Sequence, residues 1–208
     1  MSFRPPLFYR MTGRLNGMLW CVPLPPRVLT RLGHLVYHSP PLPGELVLEI
    51  SDALHAADVQ HWIRGGWGVD ALRGRQTRPH WDVDIVIDEE AKSRAIDVVE
   101  RLGFTRWFEV TSDTPLLSRI VLRDHPSAGR AVDLQPLDMS ATDMTFSTGT
   151  IDSRPVPCLS LASQLATHAG YRNSNYRKRR RDLADVAALR ELSQRFAGSN
   201  PPIAQDRS

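Results

Sequence analysis

Gly65-Gly66-Trp67-Gly68-Val69-Asp70, followed by Thr77-Arg78-Pro79-His80-Trp81-Asp82-Val83-Asp84-Ile85-Val86-Ile87, sets two features sixteen residues apart, from Gly66 to Asp82. The first is a glycine pair at the end of Val59 to Arg64, a run that reads as a strand, with a short helix expected over Val69 to Leu72. The second is a strand over Trp81 to Ile87. There Val83, Ile85 and Ile87 alternate with Asp82, Asp84 and Val86, which puts both carboxylates on one face. Two carboxylates so close repel unless a cation lies between them or one is protonated. Magnesium suits such a pair, because it binds through one or two carboxylates and completes its shell with water and phosphate oxygens. Glycines at a strand end let the backbone approach a phosphate, and the amides of the following helix start offer donors. Alone, Asp-x-Asp reads equally as a solvated edge strand, and Gly-Gly as an ordinary tight turn. The combination turns both readings towards a nucleoside triphosphate and its metal.

A third carboxylate on an adjacent strand is supplied by Asp133 in Ala131-Val132-Asp133-Leu134. It stands between apolar neighbours, where an unpaired charge is costly. Its functional reading is a further metal ligand or the base that takes a proton from an attacking hydroxyl. Its structural reading is an ion pair with a nearby arginine such as Arg130.

Around these residues the chain has a regular pattern. Leu46, Ile50, Leu54 and Ala57 recur at helical spacing. Glu89 to Leu102 reads as a helix that opens on acids and stops at Gly103. Strands are expected over Thr105–Thr111, Ser118–Arg123 and Arg130–Leu134. Ser160 is the expected N-cap of a helix running to Gly170, and a last helix is expected from Arg181 to Phe196. The fold class is α+β, a mixed sheet flanked by helices. Residues 1–44 hold eight of the sixteen prolines and read as an N-terminal extension, with one short helix over Arg27 to Tyr37 and a stiff linker at Pro40–Gly44. Residues 45–150 then form the core, 151–197 a helical C-terminal part, and 198–208 a disordered tail.

Length and composition narrow the class. At 208 residues and 41% apolar content the chain suits one domain with additions. No apolar run reaches the ~18–20 residues needed to span a bilayer, and the proline-broken N-terminus does not read as a secretory signal. Two cysteines, Cys21 and Cys158, are too few for a disulfide scaffold or a four-cysteine zinc site and fit a reducing cytoplasm. Charge is segregated: residues 1–44 and 172–181 together carry eleven positive charges and no acid, leaving the rest of the chain at −8 against a total of +3. An acidic core argues against a plain nucleic-acid-binding module.

The stretch from Trp62 to Asp84 closely resembles the signature of the small antibiotic nucleotidyltransferases, the lincosamide nucleotidyltransferases and aminoglycoside 2''-adenylyltransferases of the DNA polymerase β-like superfamily. The resemblance continues at Val132-Asp133-Leu134-Gln135-Pro136-Leu137. It resumes at Pro157-Cys158-Leu159-Ser160, Gln164-Leu165 and His168-Ala169-Gly170-Tyr171, covering roughly residues 46–192. It implies two magnesium ions and transfer of a nucleoside monophosphate, AMP from ATP, to a hydroxyl of a small-molecule acceptor such as an aminoglycoside or lincosamide. It matches Asp82 and Asp84 to the metal-binding pair, Asp133 to the third, base-like carboxylate, and Gly65 and Gly66 to the triphosphate turn. Gln135 departs from the pattern, standing where such proteins often have histidine, and Ala162 stands where the lincosamide branch has an acid.

Further candidates come from charge. Arg78 leads into the metal strand within reach of phosphate, with a surface-loop role as the alternative. Lys178 and Arg181, in the basic run, are candidates to neutralise the triphosphate, against the ordinary reading of a solvated face. His168 reads first as a packed helix histidine, and Trp67 and Trp81 as core or cleft wall. The same basic run motivates a rival acceptor, transfer RNA or a protein, as in toxin-like nucleotidyltransferases. A second rival is a non-catalytic nucleotide-binding protein of the same fold, against which the complete set of three aspartates speaks.

Overall fold

The structure, a computed structural model, describes residues 28, 39–112, 118–125, 129–170 and 180–198. Of the N-terminal extension only Val28 and the last six residues are therefore described, and the Arg27–Tyr37 helix, Lys178 and the tail beyond Gly198 lie outside. The elements run α1 (Gly44–Ala56), β1 (His61–Arg64), α2 (Gly65–Arg73), β2 (Asp82–Asp88), a 3-10 turn at Glu89–Ala91, α3 (Lys92–Arg101), β3 (Thr105–Val110) and β4 (Arg119–Arg123). They continue with β5 (Ala131–Leu137), β6 (Phe146–Ile151), β7 (Arg154–Leu159), α4 (Leu161–Gly170) and α5 (Arg180–Gly198). Among the described residues no helix is long and apolar enough to cross a membrane.

The strands join in one mixed sheet in the order β3-β4-β5-β2-β1-β7-β6. The Asp-x-Asp strand β2 lies at its centre, antiparallel to β1 and parallel to β5. Alternation dictates the two faces. Ile63, Val83, Ile85, Ile87, Ile120, Leu122, Val132 and Leu134 fall on one side and are buried against α1, α2 and α3, with Leu48, Ile50, Leu54, Trp67, Ala71, Ile96 and Val99 from the helices. Burial of each such side chain is worth about 1.5–3 kcal/mol, so the face that carries β2's other side chains is held on a stiff platform.

Most expected elements form, with three differences. The helix after the glycine pair begins at Gly65 itself, so the glycines are its first turn and not a loop before it. Strand β5 runs on to Leu137 through Pro136, which lies past the last pair with β4, Ile120↔Leu134, where a missing N–H is tolerated. The β6–β7 hairpin was not expected at all, because Gly149, Pro155 and Pro157 give it the composition of a loop. Its turn, Asp152-Ser153, takes positive φ at both residues (48° and 66°) without the Asn-Gly that normally announces such a turn. Pro40–Gly44 also does more than link: Leu42 is fully buried, its amide donates to the His80 carbonyl, and the Trp81 indole donates to Ser39 O.

Candidate active site

Strand pairing builds the site. Arg64 on β1 stands opposite Asp84 on β2, and Asp84 stands beside Asp133 on β5, so three charged residues form one row across the sheet. Asp82 lies two residues earlier on the same face, at the exposed end of β2. One repeat further in, Val86 registers with Gln135. The carboxylates thus sit on the face opposite the main core, 49 residues apart in sequence between Asp84 and Asp133 but adjacent in register.

Each inner carboxylate is held by a neighbour. The buried Arg64 guanidinium donates to Gln135 Oε1, and Gln135 Nε2 donates to Asp84 Oδ1 over 3.0 Å. Arg119 Nη1 donates to Asp133 Oδ2 over 2.9 Å. The expected structural partner Arg130 instead pairs with Asp124 through its Nε at 2.6 Å. Asp133 is buried, and its other oxygen, Oδ1, has no hydrogen-bond partner among the described residues. Burial pushes the Asp133 carboxyl up to about 7; Arg119 opposes this, while Asp84 and Asp82 add to it.

The glycine turn abuts this row. Gly65 has φ +62°, and a Cβ there would collide with the Asp84 carboxylate, so both backbone and space require glycine. The Asp84 carboxylate therefore lies against the start of α2, where the helix dipole favours an anion. Arg64, at the N-cap of α2, provides no side-chain cap, and the first-turn amides of a helix have no partner within it.

Behind the turn runs a buried polar chain. His80 Nε2 lies 2.6 Å from Asp70 Oδ2, and both side chains are 2% exposed. Thr77 Oγ1 donates to the other Asp70 oxygen at 2.5 Å. Arg78 Nη1 lies 2.9 Å from His80 Nδ1, and Arg78 Nη2 donates to Asp185 Oδ2 on α5 at 3.0 Å. An arginine can only donate, so Nδ1 accepts and the proton sits on Nε2, facing Asp70. Burial lowers the His80 pKa, against the pull of Asp70. The imidazole is thus a neutral link between α2 and the loop into β2.

Beside the acids the same sheet face turns apolar. Val86, Leu137 and Leu159 are buried under Trp62, Met139, Met144 and Phe146. The Trp62 and Phe146 rings stack with centroids 4.0 Å apart. This wall starts next to Gln135 and Asp84.

The matches to known proteins agree with this architecture. The model of the aminoglycoside-2''-adenylyltransferase family matches residues 46–189. The chain belongs to that family. A lincosamide resistance protein of Staphylococcus haemolyticus is 30% identical over 59% of this chain and 81% of its own. A 2''-aminoglycoside nucleotidyltransferase of Escherichia coli is 42% identical over 26% of this chain and 32% of its own. In structure, the lincosamide antibiotic adenylyltransferase LnuA, solved with lincomycin, overlays with a TM-score of 0.58 at 26% identity, covering 73% of this chain and 99% of LnuA. ANT(2'')-Ia, solved with adenylyl-2''-tobramycin, overlays with a TM-score of 0.59 at 20% identity over 74% and 92%, a likeness of fold.

As a nucleotidyltransferase of this family, the chain brings together Asp82, Asp84, Asp133, Gly65 and Gly66 on one sheet face and its helix start. Arg78 lies behind the turn, bonded to His80 and Asp185. Arg181 is described only as a position in α5, and Lys178 lies outside the described residues. Trp67 and Trp81 are both buried, and His168 Nδ1 bonds to the Gln164 carbonyl within α4, as a packed helix histidine does. Cys158 is a free buried thiol whose pKa burial pushes up to about 11; Cys21 lies outside the described residues. Sequence reasoning passed over Arg64, Asp70, Arg119 and Asp185. For Arg64 and Arg119 a signal existed, since both lie on strands whose alternation fixes their face. For Asp185 there was none, because its partner is 107 residues away.

Proposed function

We propose that this nucleotidyltransferase moves AMP from ATP, with magnesium, onto a hydroxyl of a small antibiotic of the lincosamide or aminoglycoside class. The observation that carries the reading is the row Arg64–Asp84–Asp133 against the uncapped start of α2. It sets carboxylates for a divalent cation beside amides for a phosphate.

Among the described residues no three His, Cys, Asp or Glu side chains already stand grouped as a metal site. Asp84 and Asp133 are held instead by Gln135 and Arg119. The donor set still fits a hard cation. It is all oxygen, and the buried Asp133 Oδ1 has no hydrogen-bond partner among the described residues. Asp82, Asp84 and Asp133 would hold two magnesium ions. Bound there, the metal supplies charge neutralisation for the triphosphate and lowers the pKa of the attacking hydroxyl.

The chain's own residues do the rest. The first-turn amides of α2 bind phosphate oxygens, and Gly65 allows that approach. Gln135, polarised by Arg64, fixes the Asp84 carboxylate. Asp133, beside Asp84 in the row, takes the proton from the acceptor hydroxyl. Arg119, on its far oxygen, orients that carboxylate and balances its charge. The Trp62–Phe146 wall gives an acceptor an apolar surface next to the acids.

The test is mass spectrometry of reactions containing magnesium, each nucleoside triphosphate in turn and a panel of lincosamides and aminoglycosides. The expected product is one antibiotic carrying one AMP, absent with Asp82→Asn or Asp84→Asn although both variants fold. Turnover retained in either variant would overturn the metal assignment. Silence across the panel with triphosphate still bound would transfer the acceptor role to a macromolecule.

A further inference from the structure

Among the described residues, two ion pairs of different character tie the last helix, α5, to the rest of the domain. Arg73 on α2 meets Glu191 at 3.4 Å on the surface. Arg78 meets Asp185 at 3.0 Å with the carboxylate 8% exposed. Only the second pair reaches the glycine turn. A Cβ on Gly66 would stand 2.5 Å from both Arg78 Nη2 and the His80 ring, so these two groups fill the space directly behind it. Arg78 is held on one side by His80, which is tied to Asp70 of α2, and on the other by Asp185 of α5.

We propose that Asp185 is a positioning residue for triphosphate binding, acting through Arg78 to fix the back of the Gly65–Gly66 turn. This rests on the nucleotidyl-transfer reading above. The physical reason is one of placement. A guanidinium is planar, and here its two ends bond two different groups, His80 and Asp185, so losing either bond loosens its orientation. Arg78 stands directly behind Gly66 at the start of α2, and its charge adds to the helix dipole felt by a phosphate there. Without Asp185 the charge is still present but no longer fixed, and the turn loses the side chain that backs it. The bond to α5 thus carries the position of a helix distant in sequence into the nucleotide site.

This reading predicts a specific pattern. Magnesium-ATP affinity, measured by titration calorimetry, should fall about tenfold in Asp185→Ala. The KM for ATP should rise in step while the KM for the acceptor stays unchanged. Asp185→Asn keeps an oxygen acceptor for Arg78 and should stay within about threefold of the wild type. Glu191→Gln breaks the other pair to the same helix and should leave ATP affinity unchanged. The double variant Arg78→Met/Asp185→Ala should bind no worse than Arg78→Met alone, because one residue acts through the other. If Asp185→Ala does not fold, Arg78→Lys carries the same expectation, since an ammonium cannot bond both partners in the guanidinium's geometry.

Unchanged or tighter ATP binding in Asp185→Ala, equal loss in Glu191→Gln, or additive effects in the double variant would each overturn the proposal alone. A wild-type protein that binds no nucleoside triphosphate would overturn the proposal and the functional reading together.

Discussion

Gln135 donates its side-chain N–H to Asp84 Oδ1 across 3.0 Å while accepting from the buried Arg64. One amide therefore satisfies a buried cation and orients a carboxylate. Gln135→Leu leaves both without that partner, which costs about 1–3 kcal/mol of stability and should lower kcat at least tenfold. A neutral imidazole also has one donor and one acceptor nitrogen. Gln135→His, the residue often found here in the family this sequence resembles, should therefore retain most of the activity. Thermal melts together with steady-state kinetics of the two variants check both statements.

Gly65 combines φ +62° with contact to the Asp84 carboxylate. Gly65→Ala should destabilise the domain by about 1–3 kcal/mol and abolish measurable transfer, because relief of the collision requires moving Asp84. Chemical denaturation gives the first number and the product assay the second. Full activity in a folded Gly65→Ala protein would remove the turn from the site.

His61 gives a pH dependence unrelated to the site. Its Nδ1 lies 2.9 Å from Val59 O, and Ser51 Oγ is 2.7 Å from Nε2, all buried. Burial holds the imidazole below its ordinary 6.5, and the charge of His55 adds while Asp52 and the bond to Val59 oppose. The unfolded chain therefore takes up the proton first as pH falls. This stability is complete above about 6.5 and is lost below it, by at most about 1.4 kcal/mol per pH unit. His61→Asn keeps a donor for Val59 but does not titrate. Between pH 7.5 and pH 5.5, taken as roughly one unit either side of the free value, it should lose less melting temperature than the wild type.

The Trp62–Phe146 stack is the surface proposed for the acceptor, and it can be tested. Trp62→Ala should raise the KM for a lincosamide at least several-fold, since an aromatic contact is worth about 0.5–1.5 kcal/mol beyond its buried area. The KM for ATP should not change. An equal rise in both constants would mean that the wall supports the fold and not the acceptor.

How much of this was legible in the sequence follows from range. Asp82 and Asp84 share one face of β2 as a two-residue period requires, whereas Gly65-Gly66, expected as a turn before a helix at Val69, form that helix's first turn. Asp133 stands out by its apolar neighbours, but its partner Arg119 does not, since pairing β4 to β5 decides it and Arg130 is nearer in sequence. The β6–β7 hairpin was hidden by its prolines and by a turn of Asp and Ser in left-handed conformations. Asp185 was invisible, because no local pattern reports a contact made by a helix packed back onto a loop a hundred residues earlier.

The position of β2 has one more consequence. The strand bearing the paired acids has three strands on either side, β5, β4 and β3 towards one rim and β1, β7 and β6 towards the other. Phe146 lies on β6, the outermost strand at one end, while the Asp84–Asp133 pairing lies at the centre. Substitutions along β6 and the connection preceding it can reshape the wall without shifting the register between β2 and β5. On the proposed reading, the β6 part of the acceptor wall and the transfer chemistry therefore lie on separable parts of one sheet. A change of acceptor is then open to this scaffold through its margin, with the acid row at its middle left as it is.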